Sequence, residues 1–149
     1  MTEVLFYHLE QHPLERVLPT LLERTLSRGW RAVVQCGSRE RLEALDAALW
    51  TYHDDSFLPH GTTSDGPAHL QPVFLTTEQD NPNGATVRFL VEGASPETYE
   101  GYERIVHLFD GHDDAAIQQA REEWKRARAA GCAVTYWQQA DNGRWEKRA

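Results

Sequence analysis

Short apolar runs alternate with longer amphipathic stretches in the amino-terminal third of the chain, and this alternation limits the fold more than any other feature. VLFYHL at residues 4–9 carries Phe6 and Tyr7 and suits a strand covered on both faces. From Pro13 to about residue 28, Leu14, Val17, Leu18, Leu21, Leu22 and Thr25 recur at helical spacing, and Gly29 ends the run. Pro19 lies inside this pattern and is expected to kink or delay the helix. AVVQC at residues 32–36 is a second strand. Ser38 is the expected cap of a second helix over residues 38–52, with Leu42, Leu45, Leu49 and Tyr52 on one side. Strand, helix, strand and helix at this spacing imply parallel strands joined by right-handed crossovers.

Further along, residues 53–72 hold Pro59, Gly61, Gly66, Pro67 and Pro72 and read as a long loop. Strands are expected at residues 73–76, 86–91, 104–109 and 133–138, with Asn83–Gly84 as a reversal and a last hairpin strand at 144–147. The expected architecture is a single α/β domain over residues 1–149. It is a three-layer open sheet, mostly parallel and Rossmann-like, with helices on both faces. It has no nucleotide-binding loop, because neither GxGxxG nor GxxxxGK[ST] occurs.

Charge narrows the partners. With 23 acidic and 15 basic residues the formal charge is -8, which disfavours a general nucleic-acid binder. No apolar run approaches membrane-spanning length, and MTEVLFYHLE lacks a signal peptide's basic region, so we expect a cytoplasmic protein with no membrane partner. Cys36 and Cys132 lack a metal-type pattern and are read as reduced thiols. The seven histidines show neither HxxxH nor HxH spacing, so neither metal nor cofactor is expected.

The stretch DDAAIQQAREEWKRARAAG, residues 113–131, differs from this acidic background. Asp113 and Asp114 suit a helix start and Gly131 a stop. Ile117, Ala120, Trp124 and Ala127 should face the core. Arg121, Lys125 and Arg128 form a basic stripe beside them, and Glu122 can pair with Arg126 on the outer face. Four of the eight residues 121–128 are basic. Such a ridge around a large aromatic can capture an acidic peptide that ends in an apolar residue and a carboxylate. The plainer alternative is a solvated helix face with Trp124 in the core.

Other candidates compete with it. Asp110, His112 and Asp113 at the end of the fifth strand can act as acid and base or hold a metal. Against that, capping of the next helix by Asp113 or Asp114 already accounts for these residue types, with His112 a loop residue. WTYHDDSFLPH, residues 50–60, brings Trp50, Tyr52, Phe57, Leu58 and Pro59 together as possible interface anchors or as core. Direct single-strand binding through Trp124, Trp137 and the basic stripe is a further reading that the acidity opposes.

Taken in order, several motifs resemble the chi subunit family of bacterial DNA polymerase III. They are Phe6–Tyr7, DAALW at 46–50, SFLPH at 56–60, Phe109–Asp110–Gly111, REEWK at 121–125 with Ala130–Gly131, and YWQ at 136–138 with GRWEK at 143–147. Residues 67–83 match the family's pattern less well. The resemblance implies a non-catalytic adaptor in DNA replication with no nucleotide bound. It would join the clamp loader through the psi subunit and grip the acidic C-terminal tail of single-stranded-DNA-binding protein. On this resemblance Arg121, Trp124, Lys125 and Arg128 would hold the tail, and Phe57, Pro59 and His60 would face psi.

Overall fold

A computed structural model of the chain describes residues 2–51, 59–62 and 65–148. Its elements are β1 (Glu3–Leu9), α1 (Leu14–Ser27), β2 (Ala32–Cys36), α2 (Arg39–Thr51), β3 (Val73–Thr76), β4 (Val87–Val91), β5 (Arg104–Asp110), α3 (Asp114–Ala129), β6 (Ala133–Gln139) and β7 (Trp145–Lys147). The strands form one sheet in the order β3-β2-β4-β5-β1-β6-β7. Every neighbouring pair is parallel except β6 with β7. This is the expected α/β architecture.

Period-two alternation sorts the side chains into two layers. On one face Leu18 and Leu22 of α1 and Leu42 and Leu49 of α2 close over Val34, Leu75 and Phe89. On the other, Ala120, Trp124 and Ala127 of α3 close over Val4, Phe6 and Ile105. β1 therefore feeds both cores, Val4 and Phe6 into one and Tyr7 and Leu9 toward the other.

Two local expectations change. α1 is neither delayed nor interrupted at Pro19, since it starts at Leu14 and runs to Ser27. The one hydrogen bond forgone is to the carbonyl of Glu15, an exposed residue whose oxygen can meet water, while the Pro19 ring is buried. Part of the expected long loop joins the sheet instead. The Gly61 N–H donates to the Val73 carbonyl at 3.0 Å and the Leu75 N–H to the Gly61 carbonyl at 2.9 Å, so backbone covers the β3 edge. A 3₁₀ turn follows at Ala68–Leu70.

The sheet's tips show why a phosphate loop is not needed for the turn after β2. A Cβ on Gly37 would lie 2.0 Å from the Glu92 carbonyl oxygen, so only glycine permits this approach of backbone to backbone. The turn is packed against the chain that leaves β4.

Sequence reading missed a buried cation. Arg88 on β4 is 1% exposed. Its Nε donates to Gln35 Oε1 at 2.9 Å, and its terminal nitrogens donate to the carbonyls of Glu78 and Asp80 and to the Tyr102 hydroxyl. No carboxylate pairs with it among the described residues. Neutral oxygens from three segments satisfy the guanidinium, which ties the loop before β4 to the sheet.

Candidate functional site

α3 sets the site's frame. Asp113 caps it, its carboxylate accepting from the N–H groups of Ala115 at 3.0 Å and Ala116 at 3.4 Å. At the other end Gly131 takes φ +82°, the left-handed stop a side chain would resist. Ala120 and Ala127 are buried and Trp124 is half-buried over Phe6, with ring centroids 5.8 Å apart.

The three cations of the basic stripe sit in different surroundings. Arg121 is exposed, and among the described residues no acid lies within ion-pair distance of it. It borders a hollow of ≈ 540 Å³ between α3 and β6, lined also by Gln118, Trp124, Lys125 and Tyr136. The Arg128 guanidinium sits 6.0 Å from the centroid of the Trp124 ring, a cation–π distance that holds the indole between cation and core. Lys125 lies 3.8 Å from Glu122, with both side chains largely exposed, so this pair contributes little and leaves the ammonium available.

The expected Glu122–Arg126 pair does not form. Arg126 turns the other way, 3.4 Å from Glu123, and donates to the Glu97 carbonyl at 2.9 Å. The cause is Glu123, a buried acid that the helical pattern did not single out. It accepts from the hydroxyls of Ser95 at 2.5 Å and Tyr99 at 3.2 Å, and Arg126 completes its environment.

Tyr136 forms the hollow's sheet-side wall and is itself held from beneath. Its hydroxyl is hydrogen-bonded to His8 Nδ1 at 2.6 Å, and His8 Nε2 lies 2.8 Å from Glu10 Oε1. Burial raises the Tyr136 hydroxyl pKa and the Arg121 charge lowers it, with burial the larger effect, so the phenol stays protonated at neutral pH. A Cβ on Gly111 would fall 2.2 Å from the His8 ring, so glycine there leaves room for this support. None of His8, Glu10 or Gly111 was legible as part of the site, since strand and loop positions far apart in sequence meet only across β5, β1 and β6.

The competing catalytic trio is otherwise engaged. Asp113 caps α3, Asp110 Oδ1 accepts from the His112 N–H at 2.8 Å, and His112 Nε2 donates to the Glu10 carbonyl at 2.7 Å. That carbonyl raises the pKa of the exposed His112. Among the described residues no group of three or more His, Cys, Asp or Glu side chains is arranged to hold a metal. No described helix is long and apolar enough to cross a membrane. Cys36 and Cys132 are free thiols, and burial pushes that of Cys36 up to about 12.

The second expected surface is partly visible. Phe57 lies outside the described residues. Pro59 is half-buried, while His60 is buried, 3.1 Å from Asp46 Oδ1 and with its ring centroid 4.5 Å from that of Trp50. Trp50 at the end of α2 is 49% exposed, so of this pair the indole meets solvent.

Comparison with known proteins gives the family. The model of the family described as DNA polymerase III chi subunit, HolC, matches residues 1–135. The chain belongs to that family. It is 29% identical over 91 residues to a probable DNA polymerase III subunit chi of Rickettsia prowazekii (strain Madrid E), covering 61% of this chain and 55% of that protein. It is 27% identical over 104 residues to the DNA polymerase III subunit chi of Escherichia coli (strain K12), covering 69% of this chain and 70% of that one. The matched stretch thus spans little more than half of the Rickettsia relative's length.

Proposed function

We propose that the chain is a non-catalytic accessory subunit of DNA polymerase III, linking the clamp loader to the acidic C-terminal tail of single-stranded-DNA-binding protein. One observation carries this reading: Arg121 stands exposed, with no acid within ion-pair distance among the described residues, beside a mostly apolar hollow in a protein of formal charge -8. A free guanidinium beside an indole and a phenol suits a ligand with an apolar ring and a carboxylate at its end. Arg121 would fork the terminal carboxylate, the ring would lie against Trp124 and Tyr136, and Lys125 and Arg128 would meet the preceding acids.

Charge-assisted hydrogen bonds of this kind contribute roughly 1.5–3 kcal/mol each. Arg121→Ala should therefore weaken binding of a tail peptide by about tenfold or more, with the melting temperature little changed because Arg121 is exposed. Titration calorimetry checks it, and wild-type affinity in the variant would refute the assignment. Contact with psi is proposed for half-buried Pro59 and for exposed Trp50, which packs on buried His60, together with Phe57, which lies outside the described residues. Phe57→Ala should reduce co-purification with psi and leave tail binding intact; undiminished co-purification would remove Phe57 from that interface.

A further inference from the structure

A second cleft, of ≈ 180 Å³, opens on the sheet face opposite α3, between the last turns of α1 and the starts of β4 and β5. Its floor is apolar: Leu5, Leu21, Phe89 and Val106. Its rim is cationic, with Arg24 in the last turn of α1 and Arg28 at the cap that follows it. Among the described residues neither side chain has a carboxylate within ion-pair distance, whereas Arg104 on the same rim is held by Glu3 at 3.0 Å. Arg28 lies 5.2 Å and Arg104 5.5 Å from the centroid of the Trp30 ring.

These are the parts found beside α3. Each place combines a guanidinium without an acid, an indole against which another cation rests, and a tyrosine ring. The tyrosines, Tyr7 and Tyr136, stand on the adjacent strands β1 and β6 and face opposite sides of the sheet. The negative end of the α1 dipole attracts Arg24 and Arg28, but dipole compensation requires no cleft.

The floor decides the ligand class. A bare phosphate would lose water there and find no donor below it. An apolar group ending in an anion gains on both counts. The size is suitable, since a cavity of ~150 Å³ takes up benzene and this cleft is ≈ 180 Å³. We propose that the cleft is a second seat for an acidic peptide with an apolar carboxyl-terminal residue, so that one chain holds two such tails on opposite faces. This rests on the reading of the α3 groove given above. Two seats for one tail chemistry raise capture by a multi-tailed partner beyond the affinity of either, through effective concentration.

Titration of the full chain with an acidic peptide ending in phenylalanine tests it. Two equivalents should bind. Arg121→Ala should leave one, and the double variant Arg24→Glu, Arg28→Glu should also leave one, its lost seat weakened at least tenfold. Arg24→Glu alone, which leaves the Arg28–Trp30 contact in place, should weaken the same seat, and circular dichroism should report an unchanged fold. A single equivalent that Arg121→Ala abolishes and the double variant spares overturns the second seat while the α3 groove stands. No binding by the wild-type chain overturns both. Two equivalents that persist with a peptide lacking the phenylalanine overturn recognition of an apolar terminus.

Discussion

His107 shows how one side chain makes stability depend on pH. It lies on β5, stacked on Phe6 with ring centroids 4.5 Å apart and planes 1° from parallel. Burial, with a smaller contribution from the Arg126 charge, pushes its imidazole down to about 3. The folded state therefore stays neutral at His107 where the unfolded state, with an ordinary imidazole near ~6.5, takes up a proton. Because the unfolded chain binds more protons in this window, stability is full above ~6.5 and falls as pH drops toward the folded value. The slope from this group is about 1.4 kcal/mol per pH unit. His107→Phe preserves a flat ring against Phe6 and removes the titration. Urea unfolding of both proteins at about pH 7 and about pH 5 should show the variant losing less stability than the wild type on acidification. Equal losses would mean that His107 does not carry this dependence.

α3 is an element with two unlike sides, each explained by what lies across from it. Toward the sheet, alanines let the helix approach closely and Trp124 fills the space over Phe6. Toward the loop after β4, buried Glu123 and exposed Arg126 fasten it to Ser95, Glu97 and Tyr99. The third side, with Arg121 and Lys125, has no such fastening among the described residues and borders the hollow. The helix can therefore lose stability at its start without losing the groove. Asp113→Ala removes a cap that satisfies two backbone donors and should cost about 1 kcal/mol. Chemical denaturation measures that cost, and calorimetry with the tail peptide should give near wild-type affinity. A large loss of peptide binding would show that the first turn shapes the groove.

For the whole molecule, the sign of the charge and the sign of the proposed site oppose each other. An acidic peptide approaching a protein of charge -8 meets repulsion at long range and attraction only near Arg121. Local attraction dominates when the peptide is seated, so tail affinity should fall steadily as salt shortens the Debye length from ~30 Å to ~10 Å and below. Calorimetry across that range checks it, and a flat response would argue that the apolar contact alone drives binding.

Pattern alone determined the strand and helix alternation, an acidic cap at Asp113 or Asp114, the stop at Gly131 and the helical face that gathers Arg121 and Lys125 near Trp124. These depend on neighbours within one or two turns, so local spacing records them. It did not record that Pro19 sits within an unbroken α1, because a buried ring and one exposed carbonyl resolve that conflict only in the packed state. Nor did it record Arg88, whose oxygens come from Gln35, the 78–80 segment and Tyr102. Arg126 could have met Glu122 or Glu123 by helical geometry, and the burial of Glu123 decided between them. The wall of the groove was likewise settled in three dimensions: Tyr136, His8 and Glu10 meet because β1 lies beside β6, a strand order that no local signal encodes.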